Sequence, residues 1–157
     1  QAVQVGGPSG RCIAPYDFNR ILGYEDLATG GSLIIIGKQR DLLKDIVLNF
    51  MDFFVEESCG SCTPCRSLSV IYRDKLKKIL NGRGVQKDLD DMYAWRHIMK
   101  GNRCGLGQTA LNPILTTLRN FPELYEARIQ KNKSFDEGFD IHSALKESFE
   151  ITGRKSF

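Results

Sequence analysis

The stretch Arg40 to Arg66, RDLLKDIVLNFMDFFVEESCGSCTPCR, decides the fold, because a helical period and a cysteine motif meet inside it. Its first part puts Leu42, Leu43, Ile46, Val47, Phe50, Phe53 and Phe54 on one face of a helix running from about Arg40 to Glu57. The motif C-x2-C-x2-C follows directly, as Cys59, Cys62 and Cys65. Within it, Thr63-Pro64 reads as an N-cap followed by proline at the first helical position, where its missing N–H costs nothing.

Further along, Leu68, Tyr72, Leu76, Ile79 and Leu80 carry a second helix to Asn81-Gly82. A third spans about Lys87 to Lys100, with Leu89, Met92, Tyr93 and Met99 inward, and Gly101-Asn102 ends it. A fourth carries Leu111, Ile114, Leu115, Leu118 and Phe121 and continues past Pro122 to about Gln130. Four amphipathic helices joined by short loops predict a bundle over residues 38–130. Toward the N-terminus, residues 1–37 are rich in glycine, and Val3 to Val5 and Ser32 to Ile36 read as strands. Residues 131–157 form a polar linker, to about Gly138, and a short helix over Ile141 to Ile151. The fold class is therefore mostly α, a C-terminal four-helix bundle preceded by a small β segment.

The chain has 157 residues, and its 22 Lys+Arg against 19 Asp+Glu leave a net charge of +3, too little to argue for nucleic acid. With 41% hydrophobic residues a buried core is feasible. The longest apolar run, Leu33 to Ile36, is far below the roughly 20 residues that cross a bilayer, so a soluble, cytoplasmic chain without membrane insertion is expected. No secretory signal is visible at Gln1-Ala2-Val3-Gln4-Val5, and the chain begins without Met as though inside a strand, which reads as a processed product or an excised fragment.

The five cysteines carry the chemistry. Cys104 follows Cys65 after 38 intervening residues, and Cys12 stands apart. An odd, tightly clustered set is no secreted disulfide framework, and neighbours three apart bridge only under strain. A [4Fe-4S] cluster asks for four thiolates, three from a C-x2-C-x2-C loop and one remote, which Cys59, Cys62, Cys65 and Cys104 supply. A closed zinc site with four cysteines competes, as a structural or protein-binding module without redox activity, although zinc sites usually pair two C-x2-4-C knuckles and the second pair is missing. The helix starting at Pro64 would favour an anionic cluster at its N-terminus. Gly60, Gly105 and Gly107 read as places where backbone wraps closely and offers amides to sulfur. Arg66 and Arg103 adjoin ligands and either stabilise the extra electron or simply solvate the surface and pair with Asp88, Asp90 or Asp91.

Other residues read more plainly. Cys12 is a small buried thiol, and His97 and His142 are structural or surface residues. Glu56-Glu57 is a solvated helix end, Phe50, Phe53 and Phe54 are core, and Tyr24 and Trp95 are candidate interface anchors. Gly6-Gly7-Pro8-Ser9-Gly10 is not G-x-G-x-x-G and precedes no helix, so it is not a phosphate cradle.

The run Glu56-Glu57-Ser58-Cys59-Gly60-Ser61-Cys62-Thr63-Pro64-Cys65-Arg66, then Arg103-Cys104-Gly105-Leu106-Gly107-Gln108 and Phe121-Pro122-Glu123-Leu124-Tyr125, resembles the flavoprotein (51 kDa-type) subunit of NADH dehydrogenases. That family includes respiratory complex I and the diaphorase subunits of NAD-linked hydrogenases and formate dehydrogenases. The resemblance covers about residues 1 to 130. Gln86 to Met92, Pro113 to Leu118, Phe139-Asp140-Ile141 and Ala144-Leu145 look more like the hydrogenase diaphorase. Gly6 to Gly10 and Tyr24-Glu25-Asp26-Leu27 resemble the last portion of a ubiquitin-like β-grasp (SLBB) domain. The resemblance implies that the four cysteines hold a [4Fe-4S] cluster that accepts single electrons after FMN has taken a hydride from NADH. It implies an upstream flavin and NAD(H)-binding domain, a thioredoxin-like [2Fe-2S] subunit and a multi-cluster iron-sulfur subunit as partners. Nothing in these residues matches the family's flavin and nicotinamide loops, so this chain is not expected to oxidise NADH alone.

Overall fold

A computed structural model describes residues 1–131 and 146–153, which are mostly α-helical with two small sheets. Strand β1 (Ala2–Val5) pairs antiparallel with β2 (Arg11–Ile13) on one side and β3 (Leu33–Ile36) on the other. The Gly6 to Gly10 run is the β1–β2 turn. Gly6 and Gly7 take φ of +88° and +64°, and a Cβ on Gly10 would lie 1.7 Å from the Val5 carbonyl oxygen. These glycines let the chain reverse between the two strands.

The first long helix begins at Leu42, capped by the Asp41 carboxylate, which accepts from the Leu43 and Lys44 N–H groups at 3.1 and 3.2 Å. Leu42–Val47 is wound as a π-helix before α1 (Leu48–Glu56). Its apolar residues divide between two cores. Leu43, Val47, Met51 and Phe54 join the main core, whereas Leu42 and Ile46 pack on the sheet side with Ala2, Cys12, Ala14, Ile36 and Phe121. Steps of four, four and three residues keep the first group on one stripe. Phe50 and Phe53 fall beside that stripe, so the expectation that both are core is corrected: Phe50 is half-buried, Phe53 is 40% exposed, and Met51 takes the buried place.

Helix α2 (Thr63–Leu80) ends where expected, at Asn81 with Gly82 at φ +71°. Its cap is one residue earlier than expected. Cys62 is the extended N-cap, and Thr63 and Pro64 are already helical. Leu68, Tyr72, Leu76 and Ile79 are buried along it, each such side chain worth about 1.5–3 kcal/mol in apolar transfer.

The expected third helix is split into α3 (Gln86–Trp95) and a 3-10 segment, Arg96–Gly101. Tyr93 is not inward but 42% exposed, with the Arg96 guanidinium 5.9 Å from its ring centroid. Asp88 anchors α3. Its carboxylate accepts from the Val85 N–H at 3.0 Å and from Lys75 and Lys78, both at 2.7 Å. Burial works to raise the Asp88 pKa, but these donors outweigh it and hold the carboxyl below the usual range. Lys75 also reaches Asp91 at 3.0 Å and sits 5.3 Å from the Trp95 ring centroid, so Trp95 is committed to an internal contact.

Two short helices follow the 3-10 segment, α4 (Gly105–Thr109) and α5 (Asn112–Asn120). The expected run past Pro122 to Gln130 is broken at Phe121, whose φ of −142° and ψ of 52° leave the helical region because proline follows it. Helix α6 (Pro122–Glu126) is separate. Residues Ile129–Gln130 (β5) pair parallel with Gly84–Val85 (β4), tying the end of the helical region to the α2–α3 loop. Helix α5 lies against β2: the Cys12 N–H donates to Thr116 Oγ1 at 3.1 Å, and Asn120 Nδ2 donates to the Cys12 carbonyl at 2.7 Å. Helix α7 (Lys146–Thr152) falls within the expected C-terminal helix, whereas His142, the rest of that helix's start and the linker after Lys131 lie outside the described residues.

Candidate metal centre

The α1–α2 loop and the chain entering α4 meet at one end of α2. Cys59 lies in the loop, Cys62 is the N-cap of α2, Cys65 is in its first turn, and Cys104 is the N-cap of α4. All four line one mostly apolar chamber of about 130 Å³. Cys65 is 6% exposed, whereas Cys59 and Cys104 are exposed. The sequence pattern thus brings four thiols from two distant loops to one place. Gly60 has φ +71° and makes the left-handed bend between Cys59 and Cys62.

Asn102 holds the two loops in register. Its side-chain oxygen accepts from the Cys65 N–H at 3.0 Å, and its amide nitrogen donates to the Met99 and Gly107 carbonyls at 2.9 and 3.0 Å. Gln108 Nε2 donates to the Asn102 carbonyl at 2.8 Å. Asn102 is 3% exposed and lines the chamber. Gly107 makes room for it, since a Cβ there would lie 2.8 Å from the Asn102 Cβ. Reading by sequence missed Asn102, whose only signal was its place as a helix-ending residue two before Cys104.

The flanking residues expected around the site divide. Gly60, Arg66, Arg103 and Gly105 stand beside the chamber rather than in its lining. Arg66 folds over the cysteine loop, donating to the Gly60 carbonyl and to Thr63 Oγ1, the latter at 3.4 Å. The alternative that Arg66 and Arg103 pair with Asp88, Asp90 or Asp91 is corrected: Lys75, Lys78 and Lys87 hold Asp88 and Asp91, and Gln86 donates to Asp90. Arg103 contributes its backbone, its N–H donating to Cys62 Sγ at 3.5 Å. The close wrapping expected at Gly105 is absent among the described residues, since a Cβ there would meet nothing within 4 Å; the tight glycine is Gly107. Ser58, also missed, places its hydroxyl oxygen 3.3 Å from Cys65 Sγ. Glu56, Glu57 and His97 are exposed.

The donor set suits an iron-sulfur cluster. Such a cluster takes four thiolates, three from a C-x2-C-x2-C loop and one remote, and those four cysteines line the chamber. Cys12 stands outside the set. It packs with Ala2, Ala14 and Leu42, and burial pushes its thiol up to about 12. No helix among the described residues is long and apolar enough to cross a membrane.

Residues 45–128 match the family described as the NADH-ubiquinone oxidoreductase-F iron-sulfur binding region, a span that contains all four cysteines. The chain is 45% identical over 148 residues to the NAD-reducing hydrogenase HoxS subunit alpha of Cupriavidus necator, covering 92% of this chain and 24% of that relative. It is 38% identical to the NADP-reducing hydrogenase subunit HndC of Solidesulfovibrio fructosivorans, over 85% of this chain and 28% of that protein. It is 30% identical to an NADH-quinone oxidoreductase subunit of Aquifex aeolicus, over 78% of this chain and 29% of that one. A chain in the crystal structure of an NAD+-reducing [NiFe]-hydrogenase in the H2-reduced state superposes with a TM-score of 0.82 at 33% identity, over 99% of this chain and 27% of that one. The chain therefore spans about a quarter of the length of these relatives. On a family match across the cysteine region and on these relatives, the chain belongs to the NADH-ubiquinone oxidoreductase-F iron-sulfur binding family.

Proposed function

We propose that this chain is the electron-transfer module of an NAD(H)-linked oxidoreductase, in which Cys59, Cys62, Cys65 and Cys104 hold one [4Fe-4S] cluster. A cluster of this kind takes up and gives back one electron at a time, the outlet that a two-electron hydride acceptor requires. The observation that carries the reading is the convergence of four thiols on one chamber of about 130 Å³.

The chain's own part is ligation, shielding and placement. Asn102 fixes Cys65 against the Cys104 loop, and Leu106 lines the chamber beside it. The eighteen-residue helix α2 sets its N-terminal end against the site, with Cys62 at its N-cap and Cys65 in its first turn. Gly60 and Arg66 shape the cysteine loop, Arg103 donates its amide to sulfur, and Gly105 opens α4 beside Cys104. Residues 38–130 act as the helical bundle that carries the cluster. Residues 1–37 are the last portion of a β-grasp domain, supported by the antiparallel β2-β1-β3 sheet and by exposed Tyr24, Leu33 and Ile35 on that segment.

In the intact protein, FMN and NAD(H) sit on an upstream domain. The electron partners are a thioredoxin-like [2Fe-2S] subunit and a multi-cluster iron-sulfur subunit, in a cytoplasmic assembly. The relatives' names support a place in a multi-subunit, NAD(P)-linked complex: they are subunits of NAD-reducing and NADP-reducing hydrogenases and of NADH-quinone oxidoreductases.

The test is anaerobic reconstitution with iron and sulfide, followed by metal and acid-labile sulfide analysis. About four irons and four sulfides per chain are expected. One tightly bound zinc and no sulfide would replace the electron-transfer reading with a structural zinc module.

A further inference from the structure

The Ser58 hydroxyl and the Cys65 sulfur face each other at 3.3 Å on the chamber wall. The Gly60 N–H donates to the same hydroxyl oxygen, also at 3.3 Å. A serine hydroxyl has one proton and two lone pairs. The Gly60 amide occupies a lone pair and leaves the proton to be placed. A free thiol could either give or take a proton across this contact, but a ligating cysteine is a thiolate and can only accept. Ligation therefore fixes the direction of the bond, with Ser58 as the donor.

We propose that Ser58 tunes the electron-transfer site: its O–H donates to the ligating Cys65 sulfur and raises the reduction potential of the cluster held there. The inference rests on the proposed function, in that Cys65 must be a ligand. One electron enters on reduction, no bond forms or breaks, and Ser58 keeps its proton throughout. The added negative charge strengthens the acceptor, so the hydrogen bond favours the reduced form. Two features make the contact effective. Cys65 is 6% exposed, and a hydrogen bond in a low-dielectric setting is stronger than one in water. Both partners are also pre-positioned: the Cys65 N–H is held by Asn102, and the turn to Ser58 is set by the Glu57 N–H on the Phe53 carbonyl at 2.9 Å. Among the described residues the other hydrogen bond to one of the four cysteine sulfurs comes from the Arg103 amide, which belongs to the backbone, whereas Ser58 is a side chain that substitution can change.

The experiment is a potentiometric titration of the reconstituted full chain, followed by electron paramagnetic resonance, for wild type, Ser58→Ala and the isosteric pair Ser58→Thr and Ser58→Val. Iron and sulfide are counted in each. Ser58→Ala is expected to keep its cluster and to titrate lower. The reduced-to-oxidised ratio at fixed potential should fall about tenfold, which is about 59 mV for one electron. Thr should stay near wild type and Val should fall with Ala. Equal midpoints for loaded Ala and wild type, or for Thr and Val, overturn the inference while leaving the cluster in place. If Ala does not load, the Thr and Val comparison decides. A wild-type chain that takes up no iron and sulfide overturns the proposed function, and this inference with it.

Discussion

Two cysteine environments in one small molecule show what makes a thiol a candidate ligand. Cys12 is in a strand, 1% exposed, with its N–H and C=O tied to Thr116 and Asn120 of α5. Its neighbours are apolar, and burial pushes its thiol up to about 12. Cys59, Cys62, Cys65 and Cys104 instead occupy a loop, two helix N-caps and a first helical turn around a common chamber. The difference lies in the backbone: a paired strand holds a thiol in the packing, whereas loops and helix starts can turn several thiols toward one point.

The largest test of that contrast compares two deletions. Cys104→Ala should abolish four-iron loading on reconstitution, while Cys12→Ala should load like wild type; iron and sulfide analysis reads both. Next, Asn102→Ala should destabilise the fold by about 3 kcal/mol, because the buried Cys65 N–H loses its acceptor and two carbonyls lose a donor. Urea unfolding of the apo chain measures this, and faster iron loss to a chelator should accompany it. Gly107→Ala should cost about 2 kcal/mol, because a Cβ placed 2.8 Å from Asn102 overpacks a buried contact; the same unfolding series ranks it below Asn102→Ala.

The smallest effect is the pH response of Cys12. Its pKa is raised in the folded state, so its contribution to stability is complete below the unfolded value of about 8.5. That contribution fades as pH rises toward about 12, where the buried thiol itself ionises. Cys12→Ala should flatten this part of the alkaline fall in stability. Identical curves for the two proteins would remove the contrast in burial.

Much of the helical region was legible, because long elements carry their signals locally. Helix α2 is bounded by Thr63-Pro64 and Asn81-Gly82, and its buried stripe of Leu68, Tyr72, Leu76 and Ile79 was read from spacing alone. The four cysteines singled out by their spacing line one chamber. What escaped is decided by contacts far along the chain. Two-residue β4 exists because Gly84 pairs with Ile129. The division of the Leu42 to Phe54 stripe reflects two cores, one helical and one on the sheet, that a single periodicity cannot distinguish. Asn102 and Ser58 were illegible because each acts through a partner on another element, Asn102 on Cys65 and Gly107, Ser58 on Cys65.

The central claim is that thiolates from two distant loops share one redox centre. It is tested most directly by electron paramagnetic resonance of the anaerobically reconstituted, dithionite-reduced chain, alongside Cys104→Ala. A single paramagnetic four-iron centre per chain, lost in the variant, is the expected result. A spectrum silent on reduction in zinc-bound wild type, or one unchanged by removal of Cys104, would contradict the account.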